Sequence, residues 1–195
     1  RIVVQYDAYN ALDADFETWI RYRFAYADEP GSQIDSLWWD IGPMGPAVYP
    51  RPANHPQLAS WRKLGIDWVG RLVEETRNRG LEVFWSHRVS EVDINPDGRG
   101  AAWKGPPHPF KKKHPDWLLT TWWPHGLWNY AVAGVRQFKV DVIRQLAETH
   151  DFDGFQLDFA RHVPCLPPGR QWELRHHVTQ FVRMVRTMLL EVTQR

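Results

Sequence analysis

The chain has 195 residues, 43% hydrophobic and 24% charged, which suits one soluble globular domain with a sizeable core. A net charge of +1 supplies no basic field of the kind that draws nucleic acid or a membrane surface, and no apolar run approaches transmembrane length. Cys165 is the single cysteine, which excludes an intrachain disulfide and leaves the redox compartment open.

In chain order, Ile2 to Asp7 reads as a first strand, and Asp15 to about Tyr26 as a helix with Phe16, Trp19, Ile20 and Phe24 on one stripe. Pro30-Gly31 breaks that helix, and Asp35 to Asp40 forms the second strand. A proline-rich loop from Pro43 to Pro56 leads into a second helix, Leu58 to Arg79, with Trp61, Leu64, Trp68 and Leu72 in register and Gly80 as its stop. Leu81 to His87 is the third strand.

The long segment from about 93 to 130 then carries Pro96, Pro106, Pro107, Pro109, Pro115 and Pro124, together with Trp103, Trp117, Trp122, Trp123, Trp128 and Tyr130. Its length marks it as functional or disordered, and its aromatics argue against disorder. Within it, Lys111-Lys112-Lys113 reads as a solvated loop. The third helix spans Ala131 to Thr149, with Val135, Phe138, Val142 and Leu146 inward. Asp153-Gly154 makes a turn into the fourth strand, and Gln171 to Val192 is the fourth helix.

This β-α order, repeated four times, predicts a parallel sheet with right-handed crossovers. In the fourth strand Phe155, Leu157 and Phe159 share one face, and Gln156 and Asp158 the other. If the more apolar side of every strand meets the helices, the opposite side carries Gln5 and Asp7, Trp38 and Asp40, Ser86 and Arg88, and Gln156 and Asp158. Each strand thereby ends in a charged residue on one side of the sheet. In parallel α/β folds ligands bind at the C-terminal strand ends. His87 stands at the end of its strand and is compatible with either face.

The 12 Trp are the unusual count. Core and loop packing accounts for roughly two thirds of them on burial tendencies, and the rest are available as flat platforms for sugar rings.

Three stretches carry a family resemblance: Asn129-Tyr-Ala with Val135-Arg136, Gly80-Leu-Glu-Val-Phe-Trp running into His87-Arg88, and Asp153-Gly-Phe-Gln-Leu-Asp-Phe-Ala-Arg161. Together they resemble the N-terminal half of the glycosyl-hydrolase-like (β/α)8 barrels related to glycoside hydrolase family 10. The resemblance implies an α/β chain of TIM-barrel type, a carbohydrate substrate and hydrolysis of O-glycosidic bonds. A whole barrel takes about 250 residues and eight strands. The expectation is therefore a single partial barrel over 1–195, truncated to four βα units, opening on Arg1 as a piece of a longer protein. Its open edges would be met by a C-terminal half-barrel or by self-association. The competing arrangement is a complete doubly wound sheet, although no Gly-rich phosphate loop follows the first strand.

Glycoside hydrolysis uses two carboxyl groups. Melibiase-like barrels, which the fourth-strand motif also resembles, place a nucleophilic Asp at the end of that strand. Family 10 barrels place an acid/base Glu near it and a nucleophilic Glu later. Asp158 is the catalytic candidate on this resemblance, as nucleophile or acid/base, and Asp7, Asp40, Glu91 and Asp93 are the possible second carboxylates. Asp7, Asp40, His87, Arg88, Arg161 and His162 are expected to bind sugar hydroxyls, with Trp122 and Trp123 stacking on the ring.

The bland alternative for Asp158 is an ion pair with Arg161 or Arg88 that only organises the site, in a non-catalytic sugar-binding or structural barrel. No cofactor is called for. The 9 His show neither a His-x-His strand pair nor a His-Glu-x-x-His helix, so no metal site is expected.

Overall fold

The computed structural model describes residues 1–7, 15–40, 60–61, 63–90, 109–121 and 125–194. In chain order the elements are β1 (Val3–Asp7), α1 (Phe16–Phe24), β2 (Ser36–Asp40), α2 (Trp68–Asn78), β3 (Glu82–Arg88), α3 (Pro109–Lys113), a 3-10 turn (Pro115–Trp117), β4 (Leu118–Leu119), β5 (Leu127–Trp128), α4 (Ala133–Thr149), β6 (Gly154–Asp158) and α5 (Gln171–Thr193). The main sheet has four strands in the order β1-β2-β3-β6, with β4 and β5 forming a separate antiparallel pair. β1 runs parallel to β2 from Val3–Ser36 to Asp7–Asp40, and β2 parallel to β3 from Ser36–Glu82 to Trp39–Trp85. This sequential order is the one a partial (β/α)8 wall requires. A doubly wound sheet would put the first strand inside the order.

The chain divides into two compact units, the first made of 1–44, 50–87 and 150–157, the second of 45–49, 88–149 and 158–195. In the first, the period of two places Leu37, Trp39, Val83 and Trp85 under the helices, each at most 1% exposed. Trp39 packs edge-on against Phe24, and its indole N–H donates to the Thr76 hydroxyl (3.0 Å), which donates in turn to the Leu72 carbonyl (2.6 Å). A large aromatic is thus buried with its one polar atom satisfied.

The opposite face is polar. Gln5 Nε2 donates to Ser86 Oγ (2.9 Å), and Ser86 Oγ donates to Gln156 Oε1 (2.6 Å). Gln5 sits on β1 and Ser86 on β3, two strands that a flat sheet would hold roughly 10 Å apart. Their bond therefore bridges across β2 and ties three strands together on this face.

β6 enters the sheet from a bend at Asp153, directly ahead of Gly154. Asp153 Oδ2 accepts from the Val83 N–H (2.8 Å), and the Asp153 N–H donates to the Val83 carbonyl (2.8 Å). These paired bonds lock the register of β6 on β3. Gly154 has a steric duty: a Cβ there would lie 2.4 Å from the Phe84 ring, which itself stacks on Trp38 at 5.1 Å. Gly154→Ala is expected to lower stability by about 1–3 kcal/mol through overpacking. An unchanged denaturation midpoint would contradict that packing.

The second predicted helix is shorter than its periodicity suggested. Gly65 takes φ +75°, a left-handed value that ends any helix before it, and Asp67 caps the new one through the Gly70 N–H (2.9 Å). Leu64 is consequently 72% exposed instead of inward, whereas Trp61, Trp68 and Leu72 are buried.

At the end of α2, Arg79 joins Asp28 (2.6 and 2.8 Å) and Glu75 (2.7 Å) while its guanidinium lies 4.2 Å above the Phe24 ring. The hydrogen bonds from Arg79 hold both carboxyls below the usual carboxylate range. Lowered folded-state values mean that this stabilisation is complete above the unfolded carboxylate pKa, near 4. It is lost as pH falls through the lowered values. Arg79→Met should therefore cost melting temperature at neutral pH, and the gap from the parent should narrow on acidification below about pH 4. A gap independent of pH would remove the carboxylates from the account.

In the second unit α4 packs on α5. Val135, Phe138, Val142 and Leu146 from one, and Phe181, Val185 and Met188 from the other, are buried, with Arg144 paired to Glu191 (2.8 Å) at the surface. The described part of the long connection holds α3, the 3-10 turn and the β4–β5 pair, where the sequence suggested an extended loop. Lys111 departs from the solvated reading. It is 2% exposed, with Nζ donating to the Gly126 carbonyl (2.8 Å) above the Trp128 ring. Lys112 and Lys113 remain exposed.

Of the tryptophans described, Trp19, Trp39, Trp61, Trp68, Trp85 and Trp128 are buried, Trp38 and Trp117 half-buried, and Trp172 exposed. Among the described residues no helix is long and apolar enough to cross a membrane.

Candidate active site

Asp158 is the last residue of β6 and is buried at 8% exposure. A buried carboxylate needs donors, and the chain beyond the strand provides them. Asp158 Oδ1 accepts from the Ala160 N–H (2.9 Å) and the Arg161 N–H (3.3 Å), and Arg161 Nε lies 3.5 Å from Oδ2. The backbone therefore turns around its own side chain, as Asp favours. That orients the carboxylate before any ligand arrives.

The end of β3 lies alongside. The Val89 N–H, one residue past Arg88, donates to the Asp158 carbonyl (3.2 Å). Arg88 is buried, and it shares strand parity with Phe84 and Ser86, hence the polar face. Ser90 follows, 1% exposed, with its carbonyl 3.3 Å from His162 Nδ1. His162 adopts φ +54°, a left-handed conformation costing a side-chain-bearing residue about 1–2 kcal/mol. Arg88, Asp158, Arg161 and His162 are thus gathered by the backbone contacts of Val89 and Ser90. Neither Val89 nor Ser90 was visible as a site residue from sequence, because residues beyond a strand end carry no period.

In the first unit, Asp7 and Asp40 face each other in register at the ends of β1 and β2, and Asp40 is fully buried. His87 is 6% exposed and shares the parity of Val83 and Trp85, which sets it toward the helix side of the sheet. Trp122 and Trp123, expected to stack on sugar, lie outside the described residues, as do Glu91 and Asp93. Among the described residues no group of three or more His, Cys, Asp or Glu is arranged to hold a metal ion.

These features define an α/β protein with a parallel, sequentially ordered four-stranded sheet, consistent with a partial TIM-like fold, and a buried, oriented carboxylate at the C-terminal end of the last strand of that sheet. No protein-family model matches the sequence, and no curated protein matches it. Solved structures do match, among them an α-galactosidase, an α-L-fucosidase and an α-amylase. A GH36 α-galactosidase, AgaA from Geobacillus stearothermophilus, is similar over 98% of this chain and 26% of its own, at 18% identity and a TM-score of 0.55. An α-L-fucosidase from Paenibacillus thiaminolyticus covers 96% of this chain and 30% of its own, at 13% identity and a TM-score of 0.56. A maltogenic α-amylase, AmyB from Thermotoga neapolitana, covers 92% and 43%, at 16% identity and a TM-score of 0.52. The chain is glycosidase-like in fold and spans about a quarter of the length of the α-galactosidase it matches.

Proposed function

We propose that this protein acts in the hydrolysis of O-glycosidic bonds, with Asp158 supplying one of the two carboxyl groups that reaction uses. The observation that carries the reading is the placement of Asp158: buried, at the C-terminal end of a parallel strand, and held by two backbone N–H donors and a guanidinium. Two N–H groups donate to its Oδ1 and a guanidinium lies beside its Oδ2, an acceptor's surroundings that favour the nucleophile over the general acid. Arg88, Arg161 and His162 then serve as donors to sugar hydroxyls around it. The finer family assignment, to the barrels related to family 10, rests on the three sequence stretches alone.

The carbohydrate class is supported by the fold likeness to glycosidases, among them α-galactosidase complexes with stachyose and with raffinose. The test is turnover of a panel of activated aryl glycosides, galactosides and fucosides included, by the parent and by Asp158→Asn. A second reading, a non-catalytic sugar-binding barrel, is favoured by one observation, the ion pair of Asp158 with Arg161. Binding of sugars without turnover by the parent would decide for it.

A further inference from the structure

The stretch Asn129-Tyr130-Ala131 with Arg136 carries part of the sequence resemblance, yet the site as described gives it no task. Its geometry does. The Tyr130 hydroxyl donates to the Val89 carbonyl (2.5 Å), and the Val89 N–H donates to the Asp158 carbonyl (3.2 Å). One peptide segment past β3 is therefore held on one side by a phenol and on the other holds the strand end that bears Asp158. Tyr130 is itself immobilised from four directions. Its N–H donates to the Cys165 carbonyl (2.9 Å) in the segment after β6, and its own carbonyl accepts from Arg136 Nη1 (2.6 Å). The same nitrogen also reaches the Ala131 carbonyl (3.0 Å), and the ring meets Phe181 of α5 edge-on at 4.9 Å. Tyr130 is fully buried and Val89 1% exposed, so loss of the phenol would strand a buried carbonyl.

We infer that Tyr130, locked by Arg136, is a positioning residue that sets the relative placement of the two strand ends carrying Arg88 and Asp158. The claim of a catalytic consequence rests on the hydrolase reading above. The mechanical claim does not. Asp158 is oriented by the Ala160 and Arg161 amides, and that turn hangs from the strand end which Val89 secures. Releasing the Val89 carbonyl lets the strand end shift. A displacement of about 1 Å at a reacting group costs roughly a hundredfold in rate.

The experiment compares the parent with Tyr130→Phe, which keeps the ring on Phe181 and removes only the hydroxyl. Amide hydrogen exchange resolved by residue is read alongside aryl glycoside turnover. The expected result is faster exchange at Val89, Ala160 and Arg161 with unchanged exchange at Val185 and Met188 of α5. In turnover, kcat should fall roughly ten- to a hundredfold with KM changed less than about threefold. Uniformly faster exchange, or none at these three amides, overturns the inference.

Arg136→Lys, which retains the charge but moves the one nitrogen that reaches both carbonyls, should give the same local signature in weaker form and serves if Tyr130→Phe does not fold. If the parent hydrolyses no glycoside while the local exchange signature still appears, the hydrolase reading falls and the clamp stands. If the parent is active and Tyr130→Phe matches it in both readouts, the clamp falls alone.

Discussion

Asp158→Asn is expected to lower glycoside turnover by at least about a hundredfold to ten-thousandfold, since general acid–base action alone supplies that range and loss of a nucleophile costs no less. The melting temperature should stay close to that of the parent. Asn has nearly the size of Asp, and its Oδ1 can still accept from the Ala160 and Arg161 amides, so the turn after β6 keeps its two bonds. What disappears is the charge. An amide can neither attack an anomeric carbon nor exchange a proton at working pH. Arg161 loses its ionic partner, but its side chain is 41% exposed and its head remains solvated, which limits the stability cost to about 1 kcal/mol. Rate and stability therefore separate. Turnover equal to the parent would take Asp158 out of the chemistry, and a parallel fall in rate and melting temperature would make it an organising ion pair.

The largest effect on folding is expected at Trp39. Trp39→Ala should destabilise the protein by about 3–5 kcal/mol, read from the urea midpoint. The side chain is fully buried, meets Phe24 at 5.3 Å and Tyr6 at 5.8 Å, and fills the space between β2 and the helices of the first unit. Alanine leaves a cavity that close-packed neighbours cannot fill without moving the sheet. Trp39→Phe isolates the polar contribution. It keeps most of the apolar contact and removes the donor to Thr76, whose hydroxyl remains satisfied by the Leu72 carbonyl. A loss near 1 kcal/mol beyond the packing change is expected there. A Trp39→Ala loss below about 1 kcal/mol would mean that the core is not organised around this ring.

The sequence by itself determined the alternation of strands and helices and the two faces of the sheet. Side-chain period decides both, and period is local. Leu37, Trp39, Val83 and Trp85 are buried on one face as the pattern requires, while Gln5, Ser86 and Gln156 join on the other. Turn and cap chemistry was legible only in part. Gly65 cut the second helix short because one left-handed residue outweighs an apolar stripe that runs through it. Asp153 does lie in a bend, but its bonds to Val83, 70 positions away, are beyond any local pattern.

The tertiary structure alone decided what depends on such distant partners. It set Lys111 over the Trp128 ring, made Gly154 the space for Phe84, and suspended the Asp158 strand end from Tyr130 through Val89. Period can state which side of a strand a residue occupies, but not what the other strands bring to meet it. For that reason Asp158 could be picked out as a candidate from its strand, while the contacts that hold it became visible only once the chain had folded.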